Sequence, residues 1–380
     1  MKKLWPVLTD FFRRADMLLL ALCVAASAFG IVVISSATAS YGSSKYVIIQ
    51  SAALLLGIGM FILFTVIDVD IIAGSWPVLF AFNVVFLLIL IPFGVSGDTG
   101  NSGWLRFFDI GIQPSEVVKV IYIVLMAKHI SYLKEYKNLN SVFSVAQLLL
   151  HFAVMFGLII FTSDDLGSAL VFFFIFLVML FAGGLKLYWF LLGLAALAAL
   201  TPLVWTKFLQ PYQRDRILLP YVPSIDPDGF GIRWQPNQSK LALASGQLTG
   251  TGLYHGPQSQ SSALSGKHTD FIFAVIGEEL GMIGCCVVLL LLLLIIVRCV
   301  YVGLHSRNTM SMLVCFGVAS TILFQTFENA GMCIGITPVI GITLPFFSYG
   351  GSSMFSLMAA MGLVSGIRYR PKPERYRRYG

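Results

Sequence analysis

Long runs of apolar residues follow one another along almost the whole sequence, with short polar intervals between them. A helix that crosses a bilayer needs about 20 largely apolar residues, with a range of about 17 to 25. The sequence therefore predicts an all-α polytopic membrane protein with ten transmembrane helices in a single membrane domain, residues 1–380. We place the ten helices at residues 17–38, 46–67, 77–94, 115–127, 141–162, 167–182, 187–205, 271–297, 310–327 and 351–367.

The composition agrees with a membrane protein. Hydrophobic residues make up 57% of the 380 residues and charged residues only 11%, whereas soluble domains carry about 25% charged residues. The six cysteines lie in apolar stretches without CxxC spacing, which predicts neither a disulfide framework nor a zinc site. A cleavable signal peptide is the alternative for the first run. That run is long and has no clear cleavage site, so we interpret it as a retained helix.

Lysine and arginine residues are concentrated in one set of loops, which is typical of the cytoplasmic side of a membrane protein. An even number of spans places both termini on that side. The long loop at residues 208–269, between the seventh and eighth spans, then faces outward as an extracellular loop. The basic cytoplasmic tail at residues 368–380 is explained by contact with anionic lipid headgroups, and the net charge of +7 predicts no nucleic-acid partner.

One polar segment, residues 234–284, differs from the apolar runs around it. It gathers amides, hydroxyls, glycines and histidines, and it leads through Asp270 into the eighth span. The local sequence slightly favours a capping role for Thr269 or Asp270 at the start of that helix. The functional alternative is that Asp270 is a general base at the mouth of a cavity, with its pKa raised by apolar neighbours.

Ionisable residues at membrane depth are candidates for function, because an unpaired charge there is costly. Glu116 and Lys119 lie three residues apart and so on one face of the fourth helix. Their spacing favours a structural ion pair over a cavity wall that contacts a charged substrate. The adjacent Asp164 and Asp165 fit a solvated helix cap or, alternatively, two ligands of a divalent cation.

Two further places interrupt the apolar pattern. Glu278 and Glu279 point about 100° apart on a helix, so one of them is expected to face the protein interior. Glu328 precedes residues 331–351, whose glycines and two prolines exclude a regular helix. Such a stretch is tolerated at membrane depth only where it is buried or lines a cavity.

Three cations in the outward segments run against the charge bias of the loops. Arg214, Arg216 and Lys240 all lie in the long loop on the side opposite the termini. They indicate either a structural partner or an anionic substrate.

Six motifs together are far more specific than any one alone. They are QPSEVVK at residues 113–119, DLG at 165–167, YQRDR at 212–216, WQPNQSKLALASG at 234–246, HTDFIFAVIGEELG at 268–281 and ITPVIGITLPFFSYGGSS at 336–353. With these motifs the chain resembles, over nearly its whole length, the SEDS family (shape, elongation, division and sporulation) of RodA, FtsW and SpoVE proteins. The sequence GPQSQ before HTDFIF is closer to the elongation (RodA) branch than to the division branch.

The resemblance implies a ten-helix peptidoglycan glycosyltransferase of the bacterial cell membrane, for cell-wall elongation and cell shape. Such an enzyme polymerises lipid II at the outer face of that membrane, with a class B penicillin-binding protein as its transpeptidase partner. The resemblance implies that the acid of HTDFIF, which corresponds to Asp270, is the catalytic residue. A carboxylate base and cations that stabilise a departing diphosphate are the minimum equipment for this chemistry.

The resemblance also implies the remaining site residues. Glu116 and Lys119 match the family's polar cavity residues, and we infer diphosphate contacts by position for Arg214, Arg216 and Lys240. A Mg²⁺ or Mn²⁺ ion is compatible with the diphosphate, but the sequence shows no metal-ligand set and implies no organic cofactor. Other substrate-binding residues are expected at Trp104, Gln238, Ser239, His268 and Thr269.

Three positions depart from the family pattern. Gly103 stands where an Arg or Lys usually precedes the Trp that Trp104 matches. Asp164 replaces a proline before Asp165, which adds a charge and removes a rigid turn. Ser265 and Gly266 replace Pro and Glu before the His-Thr-Asp motif, so the sequence predicts a less constrained loop leading to Asp270.

Two alternatives to a polymerase fit the same membrane scaffold. A lipid II flippase would need a polar groove through the helix bundle, with charges on both leaflets. A non-catalytic scaffold for the transpeptidase would tolerate changes at Asp270 and Glu116. Because most candidate residues are predicted on the outward side, the sequence favours catalysis.

Overall fold

The computed structural model describes residues 11–95, 103–107, 110–222 and 224–370, and these residues are nearly all helical. Lys2, Lys3 and the tail beyond residue 370, which the sequence assigns to the cytoplasmic face, lie outside the described residues. A short antiparallel hairpin of β1 (Leu105–Phe107) and β2 (Ile110–Ile112) precedes the fourth long helix.

The helices are numbered here in chain order. They are α1 (Met17–Ala37), α2 (Lys45–Val66), α3 (Val69–Gly74), α4 (Trp76–Leu88), α5 (Leu90–Phe93), α6 (Pro114–Tyr136), α7 (Val142–Ser163), α8 (Leu166–Gly183), α9 (Leu187–Leu203), α10 (Pro211–Leu218), α11 (Trp234–Gly246), α12 (Pro257–Gln260), α13 (Ile272–Leu304), α14 (Thr309–Ile334) and α15 (Gly351–Tyr369).

Eight helical segments of the described chain are long and apolar enough to cross a membrane, by length and composition. They correspond to eight of the ten predicted spans, so a polytopic helical membrane protein is confirmed. The other two predicted spans also form helices, α6 and α15. Charged side chains in α6, such as Glu116 and Lys119, and many small residues in α15 lower the apolar character of these helices. The count of ten spans stays a prediction.

The core of the bundle is formed by α6, α14 and α15, in which the largest shares of the residues are buried. Helix α15 packs along α2, and α14 packs against α13, α8 and α6. Helix α9 has no buried residue along its described length and therefore stands at the edge of the bundle.

The long loop predicted at residues 208–269 contains the helices α10, α11 and α12. Helix α11 packs against α13 and α14, so this segment is folded onto the bundle. The sequence does not predict these helices, because the segment is polar. Their stability comes from packing on the bundle and not from a continuous apolar run.

Helix α13 is broken at Gly281, where φ is 66° and ψ is −167°. The backbone of the preceding loop fills the break. The N–H groups of Thr251 and Gly252 donate to the carbonyl oxygens of Glu278 and Glu279, at 2.9 and 3.0 Å. The N–H groups of the two residues after the break donate to the carbonyl oxygens of residues 247 and 248. The sequence predicts one continuous helix here, and this is wrong because hydropathy does not change at the break.

Ion pairs gather at one end of the bundle. Asp16, fully buried, lies 2.8 Å from Arg298 and 2.9 Å from Arg368. Arg307 lies 2.8 Å from Asp68. These residues come from segments that the charge bias assigns to the same face, so the structure brings them to one end. The hairpin, helix α11 and residues 335–350 lie towards the opposite end, where the candidate site is found.

Candidate active site

A small polar cavity lies where the start of α6 meets α8, α14 and the irregular segment of residues 335–350. The sequence predicts that this irregular stretch is buried or lines a cavity, and the structure confirms it. The lining residues are Gln113, Ser115, Glu116, Lys119, Ser168, Val171, Phe172, Gln325, Gly341, Ile342 and Thr343.

Glu116 and Lys119 form an ion pair on the cavity wall, with 2.7 Å between Lys119 Nζ and Glu116 Oε1. Both side chains are buried, with Glu116 6% and Lys119 3% exposed. The sequence treats an ion pair and a cavity wall as alternatives, and the structure shows both at once. Each of the two buried charges is paired with the other, which makes their burial tolerable. The pair faces a space that a polar substrate group could enter.

Asp165 caps the start of α8, where it accepts hydrogen bonds from Ser168 N at 2.9 Å and Ser168 Oγ at 2.6 Å. Gln113 Nε2, from the cavity wall, also donates to it at 3.2 Å. Burial raises the pKa of Asp165, while the bonds from Ser168 oppose the rise. The predicted cap is therefore confirmed, although this carboxylate is buried and not solvated.

Asp164 has a different partner from Asp165, since its carboxylate accepts a hydrogen bond from the Tyr212 hydroxyl at 3.2 Å. Within the described residues, no three His, Cys, Asp or Glu side chains come together as they would to hold a metal ion. A Mg²⁺ ion in enzymes of this kind of chemistry is commonly bound by one or two carboxylates together with substrate phosphates, so a Mg²⁺ or Mn²⁺ ion at this site stays a prediction.

Asp270 lies between the long loop and α13, beside the cavity. Its Oδ2 atom is 3.5 Å from the position that a Cβ atom would take on the cavity-lining Gly341. Burial, and secondarily the charge of Asp165, raises the pKa of Asp270 to about 6. This carboxylate can therefore accept a proton near neutral pH.

The alternative in which Thr269 or Asp270 caps α13 is wrong. The N-cap residue is Phe271, and no side chain makes a capping hydrogen bond there. Thr269 Oγ1 instead donates to the carbonyl oxygen of Gly266 at 3.2 Å. The carboxylate of Asp270 is thus not used to start the helix.

Three successive carbonyl groups of the His-Thr-Asp motif accept hydrogen bonds from distant parts of the chain. Tyr349 N donates to His268 O at 2.8 Å, and Ser348 Oγ donates to Thr269 O at 2.7 Å. Asn329 Nδ2 donates to Asp270 O at 2.7 Å. Local sequence gives no signal for these contacts, because the partners are about 60 to 80 residues away.

The side chain of His268 packs within a group of tyrosine rings. Its ring centroid lies 4.9 Å from that of Tyr46, 5.6 Å from Tyr349 and 5.8 Å from Tyr41. His268 and Thr269 are not among the residues that line the cavity. Their geometry favours holding the loop in place, and substrate contact by either stays a prediction.

The two arginines of α10 make contacts within the protein. Arg214 donates to the carbonyl oxygens of Leu209, at 2.8 Å from Nη2, and Thr206, at 3.3 Å. The guanidinium of Arg216 lies 5.8 Å from the ring centroid of Tyr212. A structural partner, one of the two alternatives for these cations, is therefore present for both, and neither lines the cavity.

Residues 238–240 attach α11 to the end of α14. Gln238 and Ser239 are buried, and Ser239 Oγ donates to Cys333 O at 2.9 Å. The exposed Lys240 extends along Gly335, where the last carbonyls of α14 favour a cation. The predicted diphosphate contact of Lys240 stays a prediction.

Trp104 lies in the hairpin region, where its ring packs over Gly111 of β2. It is half-buried and does not line the cavity. The cavity residues that the sequence did not single out include Gln325, which is 3% exposed. No described partner reaches its Oε1 atom. Gln325 lies within an apolar run, so nothing in the local sequence marks it as part of the site.

Both Glu278 and Glu279 face the interior, where one was expected. Glu278 accepts hydrogen bonds from Gln258 N at 2.8 Å and Ser259 N at 2.7 Å. Glu279 accepts one from Ser36 Oγ of α1 at 2.5 Å. Through these hydrogen bonds the two carboxylates connect α12 and α1 to the first part of α13, the helix that follows Asp270 in the chain.

Comparisons with known proteins agree with this architecture. The sequence profile of the FtsW/RodA/SpoVE family, described as cell cycle protein, matches residues 16–372. Peptidoglycan glycosyltransferase MrdB of Escherichia coli K12 is 33% identical over 319 residues, which cover 83% of this chain and 84% of the relative. A probable peptidoglycan glycosyltransferase FtsW of Geobacter metallireducens is also 33% identical, over 372 residues, 94% of this chain and 96% of the relative.

Solved structures show the same fold. A chain of a peptidoglycan synthase complex, studied for how polymerization and crosslinking are coordinated, has a TM-score of 0.78 and 30% identity, covering 93% of this chain and 97% of that chain. The crystal structure of the rod shape determining protein RodA of Thermus thermophilus has a TM-score of 0.69 and 26% identity. The match covers 93% of this chain and 96% of the RodA chain. MrdB and FtsW match at the same identity, so the RodA branch stays a prediction. The chain is a multi-pass bacterial membrane protein and belongs to the FtsW/RodA/SpoVE (SEDS) family.

Proposed function

We infer that this chain is a peptidoglycan glycosyltransferase of bacterial cell-wall synthesis, and we propose that Asp270 is its general base. The activity follows from membership of the family, whose relatives carry that name in certain or probable form. One observation carries the assignment of Asp270. Its carboxylate adjoins a polar cavity and has a pKa raised to about 6, which suits a group that must take up a proton near neutral pH.

The proposed substrate is lipid II, at the outer face of the cytoplasmic membrane. The 4-hydroxyl of the acceptor sugar attacks the anomeric carbon of the lipid-linked donor chain. A new carbon–oxygen bond forms, and the bond from that carbon to the diphosphate oxygen breaks. Asp270 accepts the hydroxyl proton, and the lipid diphosphate leaves with the electron pair.

The cavity wall supports this chemistry. Lys119 carries a positive charge beside the space, and Glu116 holds it in place at 2.7 Å. A buried cation can stabilise a developing negative charge more strongly than an exposed one, because water screens it less. We propose that Lys119, with Glu116, faces the anionic part of the substrate.

A metal ion is given no step in this proposal, because no three His, Cys, Asp or Glu side chains of the described residues come together to hold one. A Mg²⁺ or Mn²⁺ ion that arrives with the diphosphate is compatible with the site. For a partner, we propose a class B penicillin-binding protein. The likeness to a chain of a peptidoglycan synthase complex supports such a partner.

The test is polymerisation of labelled lipid II by the purified full-length chain, alone and with a class B penicillin-binding protein. Asp270→Asn keeps the shape of the side chain but cannot accept the proton. We expect it to insert into the membrane normally and to make no glycan strands. Full activity of this variant would contradict the assignment of Asp270.

The same assay separates the alternatives. A flippase would move labelled lipid II across vesicle membranes without forming glycan strands. A scaffold would show no activity alone, and its complex would keep full polymerisation when Asp270 is changed. The polymerase predicts glycan strands that depend on Asp270.

A further inference from the structure

We propose that Asn329 is a positioning residue for the reaction, because it fixes the backbone of Asp270 and so directs the carboxylate towards the cavity. This inference rests on the proposed function of Asp270. Asn329 lies in α14, one turn from the cavity-lining Gln325, and it is fully buried.

The amide group of Asn329 joins two segments that are separate in the sequence. Its Nδ2 atom lies 2.7 Å from the carbonyl oxygen of Asp270 and 2.7 Å from the carbonyl oxygen of Ile342. Ile342 lines the cavity. One side chain therefore sets the distance between the chain that carries the acid and the chain that forms the cavity wall.

The chemistry of the contact requires an amide or another double donor. A carbonyl oxygen only accepts hydrogen bonds, and the NH₂ group of asparagine supplies two donors. The oxygen of the amide cannot face two carbonyl oxygens, so the orientation of the group is fixed by its partners. Aspartate, leucine and alanine at this position would leave both carbonyl groups without these donors.

Neighbouring hydrogen bonds also hold the backbone of the His-Thr-Asp motif in place. Ser348 Oγ and Tyr349 N hold the carbonyl oxygens of Thr269 and His268, as described above. Gln50 of α2 in turn donates from Nε2 to Ser348 O at 3.2 Å and accepts from Gly350 N at 3.0 Å. Asn329 makes the contact nearest to the reacting carboxylate, and it does so from a long helix packed in the core.

The position of a general base affects the chemical step more than substrate binding. A displacement of about 1 Å in a catalytic group lowers turnover by a factor of about 10². Loss of Asn329 should therefore lower kcat by about 100-fold and change KM by less than about threefold. A residue that only stabilised the fold would lower the yield of active protein and leave the kinetic constants of the folded fraction unchanged.

Asn83 supplies a matched control. It is also a fully buried asparagine whose Nδ2 donates to a backbone carbonyl, that of Val118 at 3.5 Å, and no described partner reaches its Oδ1 atom. It lies in α4 and does not line the cavity. Asn83→Leu makes the same substitution at a buried asparagine with one longer contact, and it does not touch the chain of Asp270, so it should leave kcat unchanged.

The experiment measures polymerisation of labelled lipid II by full-length chains with the penicillin-binding partner. It compares the variants Asn329→Leu, Asn83→Leu and Asp270→Asn. We expect Asn329→Leu to lose about 100-fold in kcat at nearly constant KM, Asn83→Leu to match the parent, and Asp270→Asn to be inactive. Should Asn329→Leu fail to insert, Asn329→Ser and Ser348→Ala make the same comparison with milder changes.

A second measurement does not depend on activity. The amide groups of Thr269 and Phe271 donate to Gly266 O, both at 3.0 Å, and they report the order of this turn. Hydrogen exchange there should become faster in Asn329→Leu and not in Asn83→Leu.

The two measurements separate the inference from the proposed function. Faster exchange in Asn329→Leu together with an active Asp270→Asn would support the positioning of the turn and contradict the role of Asp270 as base. Unchanged exchange and unchanged kcat in Asn329→Leu would overturn the inference. An equal loss of kcat in Asn83→Leu, or a rise in KM at constant kcat, would overturn it as well.

Discussion

Asp270 combines two properties that a general base in a membrane protein needs. A hydrogen bond from Asn329 to its backbone carbonyl oxygen holds it beside a cavity. Its carboxylate is therefore not needed to hold this part of the chain in place. Its pKa is raised to about 6, first by burial and then by the charge of Asp165. The base is active when it is ionised, so activity should be full above this pH and fall as the pH drops through about 6.

The contribution of Asp165 can be tested by its removal. Asp165→Asn keeps a side chain that can cap α8, but it removes the negative charge that raises the pKa of Asp270. The acidic limb of the kcat–pH profile should therefore move to lower pH. Asp164→Asn is the control, since Asp164 contacts Tyr212 and should leave the limb in place. A limb that does not move in Asp165→Asn would mean that burial alone sets this pKa.

The buried ion pair of Glu116 and Lys119 predicts non-additive effects on stability. Glu116→Gln alone leaves a buried lysine without its partner, which typically destabilises a protein by about 3–5 kcal/mol. The double variant Glu116→Gln with Lys119→Met removes both charges and should recover most of that loss. Thermal unfolding in detergent measures this. The double variant should still polymerise poorly, because the cavity loses its cation. Equal stability of the two variants would show that the pair is solvated.

Single residues in this site were predictable to different extents. Asp270, Glu116 and Lys119 could be found because motifs mark them, and the structure places all three at or beside the cavity. Asn329 and Gln325 could not be found, because a polar residue inside an apolar helix gains its meaning from contacts far along the chain. For Arg214, position in the sequence could not show that nearby carbonyl groups occupy its donors.

At the scale of elements, hydropathy predicts where helices lie but not how they are interrupted. Helices α1, α7 and α8 begin and end within a few residues of the predicted runs. The break at Gly281 lies in a run of uniform hydropathy, and it is stabilised by the backbone of residues 247–252. Backbone-to-backbone contacts of this kind depend on the absence of side chains at a few glycines, and no apolar pattern records them.

Gly250 tests the packing of this loop into the broken helix. Its φ is +82°, and a Cβ atom there would overlap the carbonyl group of Glu279. Gly250→Ala should destabilise the protein by more than about 2 kcal/mol, because a left-handed conformation alone costs a residue with a side chain about 1–2 kcal/mol.

Gly59→Ala is the matched control for Gly250→Ala. Gly59 lies inside α2, and a Cβ atom there meets no other atom within 4 Å. An alanine in a helix interior is favoured over glycine by about 0.5–1 kcal/mol, so this variant should be slightly more stable than the parent. Thermal unfolding followed by size-exclusion chromatography compares the two. Equal stability of both variants would mean that the loop is not seated in the break.

At the scale of the whole molecule, the two ends of the bundle have different chemistry. One end holds the ion pairs of Asp16 and Asp68 with arginines from α13, α15 and the turn after α13. The other end holds the cavity and Asp270. Helix α1 connects them, since Asp16 precedes it and Ser36 at its far end contacts Glu279.

Helices α6 and α15 also extend between the two ends. Gln113, just before α6, contacts Asp165 at the start of α8, and Lys134 near the end of α6 lies by Gly184 just after α8. Helix α6 therefore runs alongside a candidate span over that span's full length. Helix α15 has 19 residues, or about 28 Å at about 1.5 Å per residue, which is close to the roughly 30 Å of a hydrocarbon core. These lengths support ten spans.

The number of spans determines the side of each loop, and this can be measured. With α6 crossing the membrane, residue 137 faces the cytoplasm and residue 265 faces outward. If α6 did not cross, the two would exchange sides. Both positions are exposed, so Lys137→Cys and Ser265→Cys can report them in a chain in which the exposed Cys286 is replaced by alanine. The other five cysteines are buried and should not react.

A membrane-impermeant maleimide should label Ser265→Cys in intact cells and Lys137→Cys only after the membrane is opened. His305→Cys, in the exposed turn between α13 and α14, should behave like Lys137→Cys, because Arg307 nearby pairs with Asp68 at the end that holds the basic residues. Labelling of Lys137→Cys in intact cells would contradict the crossing of α6. It would also place residue 265, and with it the chain that leads to Asp270, on the cytoplasmic side, where the proposed substrate is not expected. The measurement therefore tests both the topology and the proposed site of polymerisation.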